Sequence, residues 1–175
     1  MPEKEFPDFI GGLWDSGRNT AEAAVVAIDN NADYFRHLLD ICFVEPYPIS
    51  MRSSRVVQMF CEKHPEFIVP YLDEVIEKIE ITKVEGVKRS FLKLLAESVD
   101  FNLLKDNSKL LQLVFDWVVS PKEAISVRYY CMFICKKFCD HEPDLKSEFK
   151  AMLEFSLSES SKGLCSTAKK ILKKL

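Results

Sequence analysis

A chain of 175 residues with 27 acidic and 24 basic side chains has a formal net charge of −3, so no overall field recommends DNA or RNA as its partner. Its 47% hydrophobic and 29% charged residues describe a globular protein, neither disordered nor membrane-spanning, and long enough to bury a core as one domain. The first residues, Met1-Pro2-Glu3-Lys4-Glu5-Phe6, are polar with no long apolar segment behind them, which argues against a secretory signal.

In chain order, the spacing of apolar residues predicts a short helix near 7–15, then helices near 19–29, 32–44, 50–63, 65–81, 84–100, 107–119, 123–139, 144–157 and 161–174. Asn19 with Glu22, Thr82 with Glu85 and Ser120 with Glu123 each set a capping residue three positions before an acid and are read as helix starts. Pro46 and Pro48 mark a turn, whereas Pro65, Pro121 and Pro143 stand where helices should begin, because a first-turn residue has no intrahelical N–H bond to lose. Pro70 either marks the true start of its helix or bends it. The apolar positions 35, 38, 39, 42, then 68, 72, 75, 76, 79, then 110, 111, 114, 115, 118 keep helical spacing, and no convincing strand emerges. The most apolar stretches, Leu110 to Val119 and Tyr129 to Cys135, are interrupted or too short for the roughly 20 helical residues a bilayer requires. Short joints between successive helices favour antiparallel neighbours in a solenoid or a bundle.

Internal similarity separates those two architectures. Four helices open with related words: Ser50-Met51-Arg52, Gly86-Val87-Lys88, Ser126-Val127-Arg128 and Gly163-Leu164-Cys165. The anchors Met51, Val87, Val127 and Leu164 are separated by 36, 40 and 37 residues, and eight residues further come Met59, Leu95, Cys135 and Leu172, on the same helical face. Four residues after the anchors stand Arg55, Phe91, Cys131 and Ala168, so Arg55 departs from the apolar pattern. A period of about 35–45 residues with two helices per unit is that of helical solenoids, in which each pair exposes an apolar face that its neighbour covers. With an apolar residue followed by a base at Met51-Arg52, Val87-Lys88 and Val127-Arg128, the chain resembles HEAT-like repeats, while Cys165 replaces the base in the fourth word. The resemblance implies an all-α, right-handed α-α superhelix. It also implies a single domain over 1–175, with a degenerate capping pair at 1–31 and about four repeats over 32–175. The function it implies is a non-enzymatic scaffold or adaptor that binds a protein or peptide on its concave face.

Six cysteines, at 42, 61, 131, 135, 139 and 165, mostly fall in helical patterns, so reduced buried thiols and a cytoplasmic location are expected. Cys131, Cys135 and Cys139 share one helical face with His141 just beyond, but three thiols spread over about 12 Å of helix do not converge on one metal ion, and core packing is the expected role. His37, His64 and His141 are expected at a helix surface or at helix ends, and the sequence implies no pairing of a nucleophile with any of them. There is no phosphate loop, dinucleotide fingerprint or paired-histidine zinc motif, so neither catalysis nor a cofactor is expected.

The candidate binding residues are Arg52, Arg55, Lys88, Arg89 and Arg128, which recur near the start of successive second helices and would align by stacking into a basic row. Such a row suits an acidic peptide or a phosphate, since Arg presents a planar fork to either. The same groups could instead cap backbone carbonyls or pair with acids of adjacent repeats. Two further classes stay open: a DNA-binding repeat protein of the alkylation-repair type, against which the net acidity argues, and a small helical enzyme, for which the signature loop of the large helical lyases is missing. The tail from Lys162 to Leu175 sets Leu164, Ala168, Ile171, Leu172 and Leu175 against Lys169, Lys170, Lys173 and Lys174, as the last helix of a solenoid requires.

Overall fold

A computed structural model describes residues 5–103, 106–158 and 161–175, so the first four residues of the polar run Met1 to Phe6 lie outside the described residues. The described chain is all-helical, with its helices packed in adjacent pairs. It divides into two compact units, Met1–Val99 and Asp100–Leu175.

The first unit holds α1 (Phe9–Gly12), α2 (Arg18–Ile28), α3 (Ala32–Val44), α4 (Ile49–Cys61), α5 (Leu72–Ile81) and α6 (Glu85–Glu97). Helix α4 is its hub, packing against α2, α3 and α6, while α5 lies on α6. The core centres on Phe35, fully buried, whose ring lies 5.6 Å from Phe60 and 5.5 Å from Phe67. Phe43 stacks on Phe91 at 5.0 Å and ties α3 to α6. Truncating Phe35 to Ala would leave a cavity at this junction, at a cost of about 3–5 kcal/mol.

The second unit holds α7 (Ser108–Val119), α8 (Ile125–His141), α9 (Lys146–Leu157) and α10 (Lys162–Leu172). Helix α7 packs on α8 and α9, and α10 covers both α8 and α9. Val127, Cys131, Ile134, Cys135 and Phe138 of α8 are buried with Phe149 and Leu153 of α9 and Leu164 and Ala168 of α10. Phe101 meets Phe138 at 4.9 Å and closes one end of this core.

Several local expectations change. None of the three expected capping boxes forms. Helix α2 starts behind Gly17, whose N–H donates to Asp15 Oδ1 at 2.7 Å, leaving Asn19 inside the first turn. Thr82 and Ser120 accept from the amides two residues on, Val84 and Lys122, both at 3.3 Å. A hydroxyl used that way builds a turn and ends its reach before the helix begins, so α6 and α8 start behind Val84 and Ala124, and Pro121 precedes its helix by a full turn. Side-chain caps come instead from Asp8, Asn31 and Ser161. Pro70 neither opens nor bends α5: it lies in a short 3₁₀ turn, Val69–Tyr71, that follows another at Pro65–Phe67, and the α-helix begins at Leu72.

The repeat register needs one correction. The anchors Val87, Val127 and Leu164 are fully buried, as are Phe91, Cys131 and Ala168. In α4, by contrast, Met51 is half-buried and the inward face runs through Ser50, Ser53, Ser54, Val57 and Cys61. The equivalent of Val87 is therefore Ser50, and that of Phe91 is Ser54, each 37 residues earlier. Arg55 is no exception to the apolar pattern, because it lies one residue off the inward face.

Candidate interaction surface

The five basic residues are not used alike. Arg52, half-buried, donates from its guanidinium to the Leu13 carbonyl at 2.8 Å, at the end of α1, and Arg55 donates to the Ser16 carbonyl at 2.6 Å. Arg128 is only 5% exposed, and its Nε donates to the Val118 carbonyl at 2.9 Å. Val118 belongs to the last turn of α7, where carbonyls lack intrahelical donors, so Arg128 closes that helix end and brings a positive charge to the negative end of its dipole. All three guanidiniums thus donate to backbone carbonyls. Lys88 is half-buried on α6, and Arg89 beside it is exposed.

A charged cluster stands nearby in the same unit. Arg36 of α3 donates to Glu74 of α5 at 2.6 Å, and Lys78 reaches the same carboxylate at 2.8 Å. The Arg36 guanidinium and then the Lys78 ammonium hold the Glu74 carboxyl down to about 2, below the usual carboxylate range. Arg36 also covers the Tyr71 ring at 4.9 Å, so this cluster ties α3 to the start of α5.

The thiol column lies inside the second unit's core. Cys131, Cys135 and Cys139 are fully buried, and burial, then the neighbouring thiols, pushes the Cys135 thiol well above its ordinary value. Neutral thiols in an apolar core pack as small hydrophobes, and no group of three or more His, Cys, Asp or Glu side chains among the described residues is arranged to hold a metal ion.

Helix α8 is apolar on its outer side as well. Ile125 is 57% exposed, Tyr129 37% exposed, and Phe133 half-buried, four residues apart and opposite the Val127, Cys131, Cys135 column. The Tyr129 ring lies 5.0 Å from Phe133 and meets Tyr130 edge-on at 5.1 Å. The repeat register equates these positions with Lys162, Ser166 and Lys170 of α10, the helix packed on α8. Lys162, Lys169, Lys170, Lys173 and Lys174 are all exposed, with no acid in 161–175. An aromatic and aliphatic stripe therefore runs along α8 beside a lysine stripe on α10. The stripe escaped the sequence reading, although its signal was there: the 123–139 segment carries apolar residues at two opposite helical phases, more than a helix covered on one side requires.

No helix among the described residues is long and apolar enough to cross a membrane. A family model described as a HEAT repeat domain matches residues 15–175, beginning inside the segment read as a capping pair. No curated protein and no solved structure matches the chain.

Proposed function

The chain belongs to the HEAT repeat family, a family of generally non-enzymatic scaffolds, and from that premise we propose that it is a protein-binding adaptor whose second helices receive an acidic, amphipathic peptide segment. One observation carries the reading: the stripe of exposed Ile125 and Tyr129 and half-buried Phe133 on α8, beside the exposed lysines of α10. Ile125, Tyr129 and Phe133 offer anchoring surface at helical spacing, and aromatic anchors supply much of the energy of an interface. The lysines complement acids that flank the partner's apolar positions, which speeds encounter and sets register. Arg52, Arg55 and Arg128 support the scaffold.

The reading is tested by capture from native cell extract with the wild type and with a Tyr129→Asp/Lys170→Glu double variant, followed by synthesis of the captured partner's acidic segments. The expected result is a protein lost from the variant bait whose acidic helical segment alone competes for the wild type. Captures that do not differ, or salt-sensitive retention of the wild type on duplex DNA in place of any peptide, would overturn it.

A further inference from the structure

We propose that the cleft between α2 and α4 is a binding site for a small carboxylate carried on an aliphatic body. None of the residues that line this cleft belongs to α8 or α10. The cleft has a volume of about 400 Å³, within the roughly 300–1,000 Å³ of sites that hold small ligands. Its apolar lining comes from Val25 and Val26 of α2 and from Met59 and Phe60 of α4. Val26 is 75% exposed, an aliphatic surface at the cleft that α2 does not need for its own packing, since α2 buries Ala21, Ala24 and Ile28. His64 stacks flat on Phe60, centroids 4.8 Å apart, and extends that wall into an aromatic one.

The rim charges decide the class of ligand. Glu22 is engaged by Arg18 at 2.7 Å, and Glu62 by Lys93 at 3.0 Å. Both rim carboxylates are thus offset, whereas Lys63, exposed at the end of α4, adds a cation that neither carboxylate is paired with. A cation engaged by neither rim carboxylate, beside an aliphatic and aromatic wall, suits one anionic head on an apolar chain, because the wall buries the chain while the head stays in reach of solvent and of the ammonium. A dianion would find only one cation not already engaged by a rim carboxylate, and a cation would meet Lys63 and Arg18. Two sources share the fitting chemistry, a medium-chain fatty acid and the free C-terminus of a peptide that ends in a large aliphatic residue.

The test titrates the full ¹⁵N-labelled chain with sodium octanoate, with octanamide, with N-acetyl-Ala-Leu and with the amide of that dipeptide. Saturable shifts at Val25, Val26, Met59, Lys63 and His64 are expected with at least one free carboxylate. The matching amide should bind at least tenfold more weakly. In Lys63→Glu the carboxylate affinity should fall at least tenfold while the remaining cross-peaks keep their positions, which separates loss of the site from loss of the fold. Saturation by octanoate alone assigns a fatty acid, and saturation by the dipeptide alone or by both assigns a peptide terminus with the aliphatic chain as its core. Absence of saturable shifts with both carboxylates, equal binding of acid and amide, or undiminished binding by Lys63→Glu overturns the proposal.

Discussion

Met51 of α4 approaches Gly86 of α6 so closely that a β-carbon at position 86 would stand 2.3 Å from Met51 Cγ and 3.0 Å from its sulfur. The small residue that opens this repeat word is therefore a packing requirement, since α4 and α6 lean together where their second helices stack. Gly86→Ala should gain up to about 1 kcal/mol of helix propensity and lose about 1–3 kcal/mol to overpacking, for a net loss near 1 kcal/mol. In a Met51→Ala background only the 3.3 Å approach to the β-carbon of residue 51 remains, which a small shift relieves, and the same substitution should turn stabilising. Urea unfolding of the four chains gives the cycle, and a Gly86→Ala effect of equal sign in both backgrounds would show that Met51 is not the obstacle.

Fold and site were legible to different depths, for physical reasons. Hydrophobic period revealed the helix pairs, and the columns Val87, Phe91, Leu95 and Val127, Cys131, Cys135 are buried where the pattern put them. The pattern slipped by one residue at α4 because its inward face is built from Ser50, Ser53 and Ser54, buried hydroxyls that read as polar surface. Ser54 settles one of them locally by donating to the Met51 carbonyl at 2.9 Å. The arginines were found but not their targets: every residue carries a carbonyl, so nothing in a sequence distinguishes Leu13, Ser16 or Val118 as an acceptor.

Arg128 should behave as a structural residue. Arg128→Ala removes the donor to Val118 and the buried aliphatic stem together, and should cost about 2–3 kcal/mol in urea unfolding. Arg128→Lys should recover only part of this, because a lysine cannot present the planar Nε–H that Val118 accepts. Arg89→Ala, at an exposed position, should stay within about 0.5 kcal/mol of the wild type. An Arg128→Ala chain as stable as the wild type would mean that the Val118 carbonyl is equally well served by water.

The Arg36–Glu74–Lys78 cluster predicts a pH dependence with a definite sign. The Glu74 carboxyl lies at about 2 in the folded chain against an ordinary 4.5, so its contribution is complete above about 4.5 and is lost as pH falls through the folded value. Wild type should therefore exceed Glu74→Gln in melting temperature at pH 7, by a margin equivalent to at most about 1 kcal/mol for so exposed a pair. That margin should shrink steadily between pH 4.5 and 2 and should not change between pH 5 and 7. A constant margin down to pH 2 would mean that the carboxylate's charge contributes nothing to the link between α3 and α5.

Thiol reactivity tests whether both cores are closed. Cys165 is partly exposed, while Cys42, Cys61, Cys131, Cys135 and Cys139 are buried, and burial pushes the Cys42 and Cys135 thiols well above their ordinary value. Alkylation proceeds through the thiolate at an accessible sulfur, so iodoacetamide under native conditions should label Cys165 more than about tenfold faster than any of the other five. Peptide mapping after brief exposure reads this directly. Adding urea through the unfolding transition should bring Cys131, Cys135 and Cys139 up together, because they share one core and are released by one cooperative opening. Native labelling of Cys135 at the rate of Cys165 would mean that α8 separates from α9 and α10 far more often than its packing allows.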